Sequence, residues 1–235
     1  MAVHVGVLAY LQDNKIKIKN YSGTSGGAIV ACWGANNLPA RELLKLTVQF
    51  GHPKFFVKFS FLPFGMFNHN MFGKSIGSYC KPKKNLWIIT FNLLKMKKEI
   101  WHGETINLPE ILNATTSVPG LFMPVLSSKG IHVDGILGSF CPDDLWEEGM
   151  TISVKLKKKA NKQKRYFLND LVHKFEETGI DVINSLQGNR IKRKNVISLE
   201  PQLNSISQMD FFSVSPKDHL ELFEQGYKEA KKLFL

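Results

Sequence analysis

The segment Tyr21-Ser22-Gly23-Thr24-Ser25-Gly26-Gly27 constrains this chain more than any other. Gly23 to Gly27 reads G-x-S-x-G. A serine with that spacing sits on a sharp strand-to-helix turn, in a strained backbone conformation, and glycines on either side let the two elements approach closely. Its hydroxyl is then exposed at the carboxyl end of the strand. The amides that follow, those of Gly26 and Gly27, open a helix and can stabilise an oxyanion. The flanks suit this reading. Ile16, Ile18 and Tyr21 alternate with Lys15, Lys17 and Lys19, which predicts a strand, and Ala28 to Ala35 reads as a buried helix. Taken alone, the motif fits a nucleophile elbow, a phosphate-binding loop or plain structural packing.

A serine hydroxyl is a poor nucleophile without a base. Seven histidines are present, and His173 and His219 follow the serine at positions where an α/β-hydrolase histidine would lie. Both read as helix-surface residues. The hydrolase elbow also follows several strands, whereas only 24 residues precede Ser25. Ile131-His132-Val133-Asp134-Gly135 offers a better base. An aspartate ending a short apolar strand, with a glycine after it, can project into the cleft of Ser25 and take its proton directly when held close and desolvated. The plainer reading is that Asp134-Gly135 only starts a turn.

The rest of the chain alternates strands and helices, which points to an α/β sheet. Val3, Val7, Leu8 and Leu11 predict an opening amphipathic helix, and Pro39 starts a helix running to about Phe50. Strands are expected at Leu86–Phe91, Glu99–His102, Ile131–Val133, Met150–Leu156 and Asn195–Leu199, and helices at Leu108–Thr115, Phe167–Leu186 and Pro216–Phe234. Between about residues 50 and 80, phenylalanines crowd a stretch broken by Gly51, Pro53, Pro63 and Gly65. Lys54, Phe55, Phe56, Lys58 and Phe59 would suit a lid that meets a membrane, with aromatics in the acyl boundary and lysines at headgroups. Phenylalanines packed in the core account for the same stretch equally well.

With 235 residues, 43% of them hydrophobic, the chain can build one sizeable core, and a single domain over 1–235 is expected. Three widely spaced cysteines, Cys32, Cys80 and Cys141, give neither a disulfide framework nor a paired-cysteine metal site. No metal or cofactor is expected. Residues 1–8 lack a basic leader, and no run nears the roughly 18 apolar residues of a membrane span. The expected address is cytoplasmic, with membrane contact from the surface. The net charge of +11 suits anionic partners, and its densest run, Lys155 to Arg165, reads as a solvated loop or a membrane-attracting one. No nucleic-acid motif accompanies it, so nucleic acid is not an expected partner.

Several segments together resemble the patatin-like phospholipases. Ala2-Val3-His4-Val5-Gly6-Val7-Leu8, followed by Gly23-Thr24-Ser25-Gly26-Gly27-Ala28, is similar to that family's A-x-H-x-G-V-L helix leading into G-T-S-x-G-A. Ala114 to Val125 is similar to its A-S/T-x-x-x-P-x-x-F-x-P segment, Asp134-Gly135 with Pro142 to its D-G-G/A…P segment, and Gly226-Tyr227 with Ala230 to its late G-Y-x-x-A piece. The resemblance implies a three-layer α/β/α sandwich, here without the first strand and glycine-rich loop that the family places ahead of the A-x-H-x-G helix. It also implies a Ser25–Asp134 dyad without histidine, acting on phospholipids, lysophospholipids or other acyl esters through an acyl-enzyme. Ile136 stands where the family usually has Gly or Ala. The missing loop and Ile136 motivate an alternative, a catalytically silent lipid-binding or interaction protein.

Overall fold

The computed structural model describes residues 1–50, 58–59, 65–68, 70–155, 195–201 and 215–234. Strand β4 (Leu86–Asn92) is the axis of the main sheet. One edge of β4 pairs along its length with antiparallel β5 (Lys97–His102). The other edge is shared. Its first half, Leu86 to Ile89, pairs with parallel β1 (Tyr21–Thr24), and its second half, Thr90 to Asn92, with antiparallel β8 (Gly130–Asp134). Strand β7 (Val125–Ser127) extends the sheet beyond β8.

Leu86 and Ile88 are fully buried on one face of β4, in a cluster built from α1 (Ala2–Asp13), α2 (Gly26–Ala35), α3 (Ala40–Phe50) and α5 (Leu108–Thr115). Helix α4 (Asn70–Tyr79) adds Ile76 to the same cluster. The other face, carrying Trp87, Ile89 and Phe91, is covered by the segment that follows β8. A 3₁₀ turn (Gly135–Leu137) leads it, and Trp146 stands edge-on to Trp87 at 5.2 Å. The expected α/β architecture is therefore the one that forms.

The opening helix differs from its expectation. Nine of its twelve residues are buried, so α1 is apolar all round rather than amphipathic. It lies against α2 and α3 and against α6 (Pro216–Leu233). A Cβ on Gly6 would stand 2.0 Å from Phe223 O, and one on Gly226 would stand 2.0 Å from Val3 O, so the two helices meet backbone to backbone. The capping box of Ser215 and Asp218 fixes the start of α6.

The strand expected at Lys15–Tyr21 is also displaced. β1 begins only at Tyr21 and runs through the small residues, while Lys15 has a φ of +55°. Ile16 and Ile18 instead pack against Val7, Tyr10 and Leu11, beside parallel strands β9 (Thr151–Val154) and β10 (Val196–Leu199). Short strands β2 (Lys58–Phe59), β3 (Gly65–Asn68) and β6 (Gly120–Phe122) form a third sheet that no periodicity announced. The helix expected at 167–186 lies outside the described residues, as does all of the lysine run beyond Lys155.

Candidate active site

The site follows from the split edge of β4. β1 runs parallel to β4 and ends with Thr24 opposite Ile89. β8 runs the other way and ends with Asp134 opposite Thr90. Two strands thus arrive head to head at adjacent residues of one neighbour, and both chains leave the sheet there. Ser25 and Asp134 meet at that junction. Ser25 Oγ donates to Asp134 Oδ2 at 2.7 Å.

Ser25 is the N-cap of α2 and has φ +53° and ψ −130°, a region L-residues rarely occupy. Such a conformation costs about 1–3 kcal/mol and persists only where its surroundings hold it. Thr115 supplies part of that hold. Its Oγ1 accepts the Ser25 N–H at 3.0 Å and donates to Ile89 O at 2.5 Å, tying the elbow to the residue of β4 where β1 ends. Sequence reasoning gave Thr115 no role. A hydroxyl run, Thr115 to Ser117, closing the helix was the available signal.

The glycines divide by function. A Cβ on Gly23 would lie 2.5 Å from the backbone of Ala28, so strand and helix pack at contact distance there. Gly26 and Gly27 have no such need, since the nearest atoms to an added Cβ are Met1 Cβ at 3.5 Å and His4 Nε2 at 3.8 Å. The expectation of close packing on both sides of the serine thus holds for Gly23 and not for Gly27. Ala28 is the first helical amide to bond back, to Ser25 O at 2.9 Å. The Gly26 and Gly27 amides precede it and, as at any helix start, lack intrahelical partners.

Asp134 is 1% exposed. Its Oδ1 accepts the Ile136 N–H at 2.9 Å, and its own N–H donates to Ser117 O at 2.8 Å. Burial pushes its carboxyl up to about 7, against the opposing pull of the Ile136 N–H and the Ser25 hydroxyl. Ile136, a departure from the family pattern, therefore contributes through its amide to holding the aspartate. Gly135 is sterically required: a Cβ would stand 2.1 Å from Ile89 O. Beyond the junction, Thr24 Oγ1 donates to Ser139 O at 3.0 Å and Ser22 Oγ to Pro142 O at 3.1 Å, which ties residues 139–142 to β1.

Among the described residues, no histidine hydrogen-bonds Ser25 Oγ or the Asp134 carboxylate. His219 lies on α6, with burial lowering its pKa, and His173 is outside the described residues. His132 is fully buried beside Thr90, 2.9 Å from its Oγ1. His4 borders Gly27, and burial drives its pKa down to about 3. Among the described residues, no group of three His, Cys, Asp or Glu is placed to hold a metal ion. Of the lid candidates, Lys54, Phe55 and Phe56 lie outside the described residues, and Lys58 and Phe59 form β2. None of the helices described is long and apolar enough to cross a membrane.

The family model for patatin-like phospholipases matches residues 1–144, which hold the elbow, Thr115 and Asp134. The chain belongs to that family. Members of that family are generally lipid acyl hydrolases. Among solved structures, VipD from Legionella pneumophila shares the fold with a TM-score of 0.60 at 13% identity. The likeness covers 99% of this chain and 64% of VipD, so the patatin-like chain spans less than two thirds of that protein. No curated protein matches it.

Proposed function

We propose that this patatin-like chain hydrolyses fatty-acyl esters of phospholipids or lysophospholipids, with Ser25 as nucleophile and Asp134 as general base. The observation that carries the reading is the 2.7 Å hydrogen bond from Ser25 Oγ, on a strained elbow, to a buried carboxylate. Ser25 Oγ attacks the ester carbonyl carbon while its proton passes to Asp134 Oδ2. The developing oxyanion lies at the start of α2, where the Gly26 and Gly27 amides donate. Collapse expels the alcohol, which takes the proton from Asp134 and leaves an acyl-Ser25 ester. Water then attacks that ester, its proton moving to Asp134. Release of the fatty acid returns the proton to Ser25 Oγ.

A carboxyl with a pKa of about 7 suits this task, because it can both accept and return a proton near neutral pH. One acyl-hydrolase domain, acting from the cytoplasmic side at a lipid surface, completes the reading. The test is fatty-acid release from phospholipid vesicles by the full chain and by an equally folded Ser25→Ala variant. Release that falls at least about 10³-fold in the variant is expected. Equal release from both would overturn the assignment of Ser25.

A further inference from the structure

Turns that end strands are normally polar, but the β4–β5 turn reads Leu93-Leu94-Lys95-Met96. Leu94 is 69% exposed and Met96 68%. Leu126, on neighbouring β7, is 77% exposed, and Leu93 is also at the surface. Four of the nine exposed large hydrophobics among the described residues thus gather at one end of the sheet. Isolated exposed leucines need no explanation, but a contiguous group does.

The group is contiguous because the sheet makes it so. Leu93 N–H donates to Ile131 O at 2.9 Å, and Ile131 pairs with Leu126, so Leu93, just past the end of β4, falls in one row with Ile131 of β8 and Leu126 of β7. Fully buried Asn92 fixes both turns. Its Oδ1 accepts the Leu94 and Lys95 amides at 3.1 and 3.0 Å, and its Nδ2 donates to Lys129 O at 3.0 Å in the β7–β8 turn. Met96 holds a φ of +48°, where glycine or asparagine is the comfortable choice, yet a long apolar side chain stands there.

Lysines ring the apolar group. Lys95 and Lys129 both reach Glu99, at 3.4 and 3.3 Å, and Lys129 Nζ also lies 4.2 Å above the Trp101 ring. Lys98 pairs with Asp144, and Lys97 is next in line. Lys95, Lys97, Lys98 and Lys129 against Glu99 and Asp144 leave this end of the sheet net positive. Apolar side chains at the apex with lysines behind them match the layering of an anionic bilayer surface, acyl chains beneath phosphate headgroups.

The position fits as well. β1 runs parallel to β4, so Ser25 emerges toward the end of the sheet that carries this turn. β4 continues two residues beyond Thr90, to Asn92, so the turn that carries Leu94 opens roughly 7 Å past the level of the dyad at strand rise.

We propose that the β4–β5 turn, with Leu94, Met96 and Leu126 as inserting side chains and Lys95, Lys97 and Lys129 as headgroup contacts, is the surface by which this chain docks on anionic phospholipid membranes. The proposal deepens the lipid-hydrolase reading and takes its purpose from it, but binding is measured without turnover. The Ser25→Ala chain is sedimented with phosphatidylcholine vesicles with and without phosphatidylserine. It binds the phosphatidylserine vesicles more tightly, and added salt weakens that binding. Neutralising Lys95 in the turn and Lys97 at the start of β5, Lys95→Gln with Lys97→Gln, weakens it about 30-fold, about five- to sixfold for each lysine. Leu94→Ser with Met96→Ser weakens it at least about tenfold.

Circular dichroism and thermal melting show that the variants remain folded, as expected for exposed positions. Tip variants that bind as tightly as the parent overturn the proposal, as does a parent that binds neither vesicle. Tip-dependent binding by a chain whose Ser25 form releases no fatty acid would leave the docking surface standing and remove the hydrolase reading.

Discussion

Replacing Asp134 by asparagine should make this protein more stable at alkaline pH while removing its activity. The carboxyl is buried, and its pKa rises from 3.8 to about 7. A folded-state pKa above the unfolded one means that the fold favours the neutral form. That preference contributes stability fully present below pH 3.8, lost progressively as pH rises, and gone above about 7. Roughly three units at 1.36 kcal/mol each make the linked loss about 4 kcal/mol between pH 4 and pH 8. Asparagine cannot ionise and so avoids it. Its Oδ1 can keep the Ile136 amide, and its Nδ2 can donate to Ser25 Oγ, so the substitution orphans neither partner. The assay is urea denaturation of wild type and Asp134→Asn at a series of pH values. The variant should match wild type near pH 4 and exceed it by about 4 kcal/mol at pH 8. Stability curves that run parallel across that range would refute the argument, because Asp134 would then titrate near its ordinary value.

The same titration should govern catalysis: kcat/KM should rise with pH through about 7, reaching roughly a tenth of its plateau one unit lower, and a flat profile from pH 5 to 8 would contradict Asp134 as base. Thr115→Val should cost about 1–3 kcal/mol in a denaturation experiment and lower kcat, because it orphans the Ser25 amide, whereas Thr115→Ser should restore both. Gly135→Ala, whose methyl would collide with Ile89 O, should lower the melting temperature by about 6–12 °C, for roughly 3 kcal/mol. Gly27→Ala, whose methyl would meet only His4 at van der Waals distance, should melt within a few degrees of wild type.

Local chemistry made much of this molecule readable. Gly23, expected to let strand and helix approach, is needed for that reason, whereas the backbone contact that requires Gly135 was not legible beside a plain Asp-Gly turn. The helix at Leu108–Thr115 and the strand around Leu86 carry enough periodicity and β-branched residues to declare themselves. Lys15 to Tyr21 misled because alternation reports a buried side, not a strand, and Ile16 and Ile18 find theirs against α1. The short strands β6 and β7 have too few residues for any period to show. The role of Thr115 was illegible for a different reason. It depends on Ile89 and Ser25, 26 and 90 residues away, meeting at one point of the sheet. Likewise, no spacing rule states that β1 and β8 end opposite adjacent residues of β4, although that register brings the dyad together.

The central claim is that Ser25 is an activated nucleophile, and a fluorophosphonate probe tests it most directly. The probe phosphonylates an activated serine with loss of fluoride, and peptide mapping of the labelled chain locates the adduct. One adduct on Ser25, absent from Ser25→Ala and strongly slowed in Asp134→Asn, is the predicted result. A folded chain that takes no label, or takes it elsewhere with Ser25 untouched, would contradict the account.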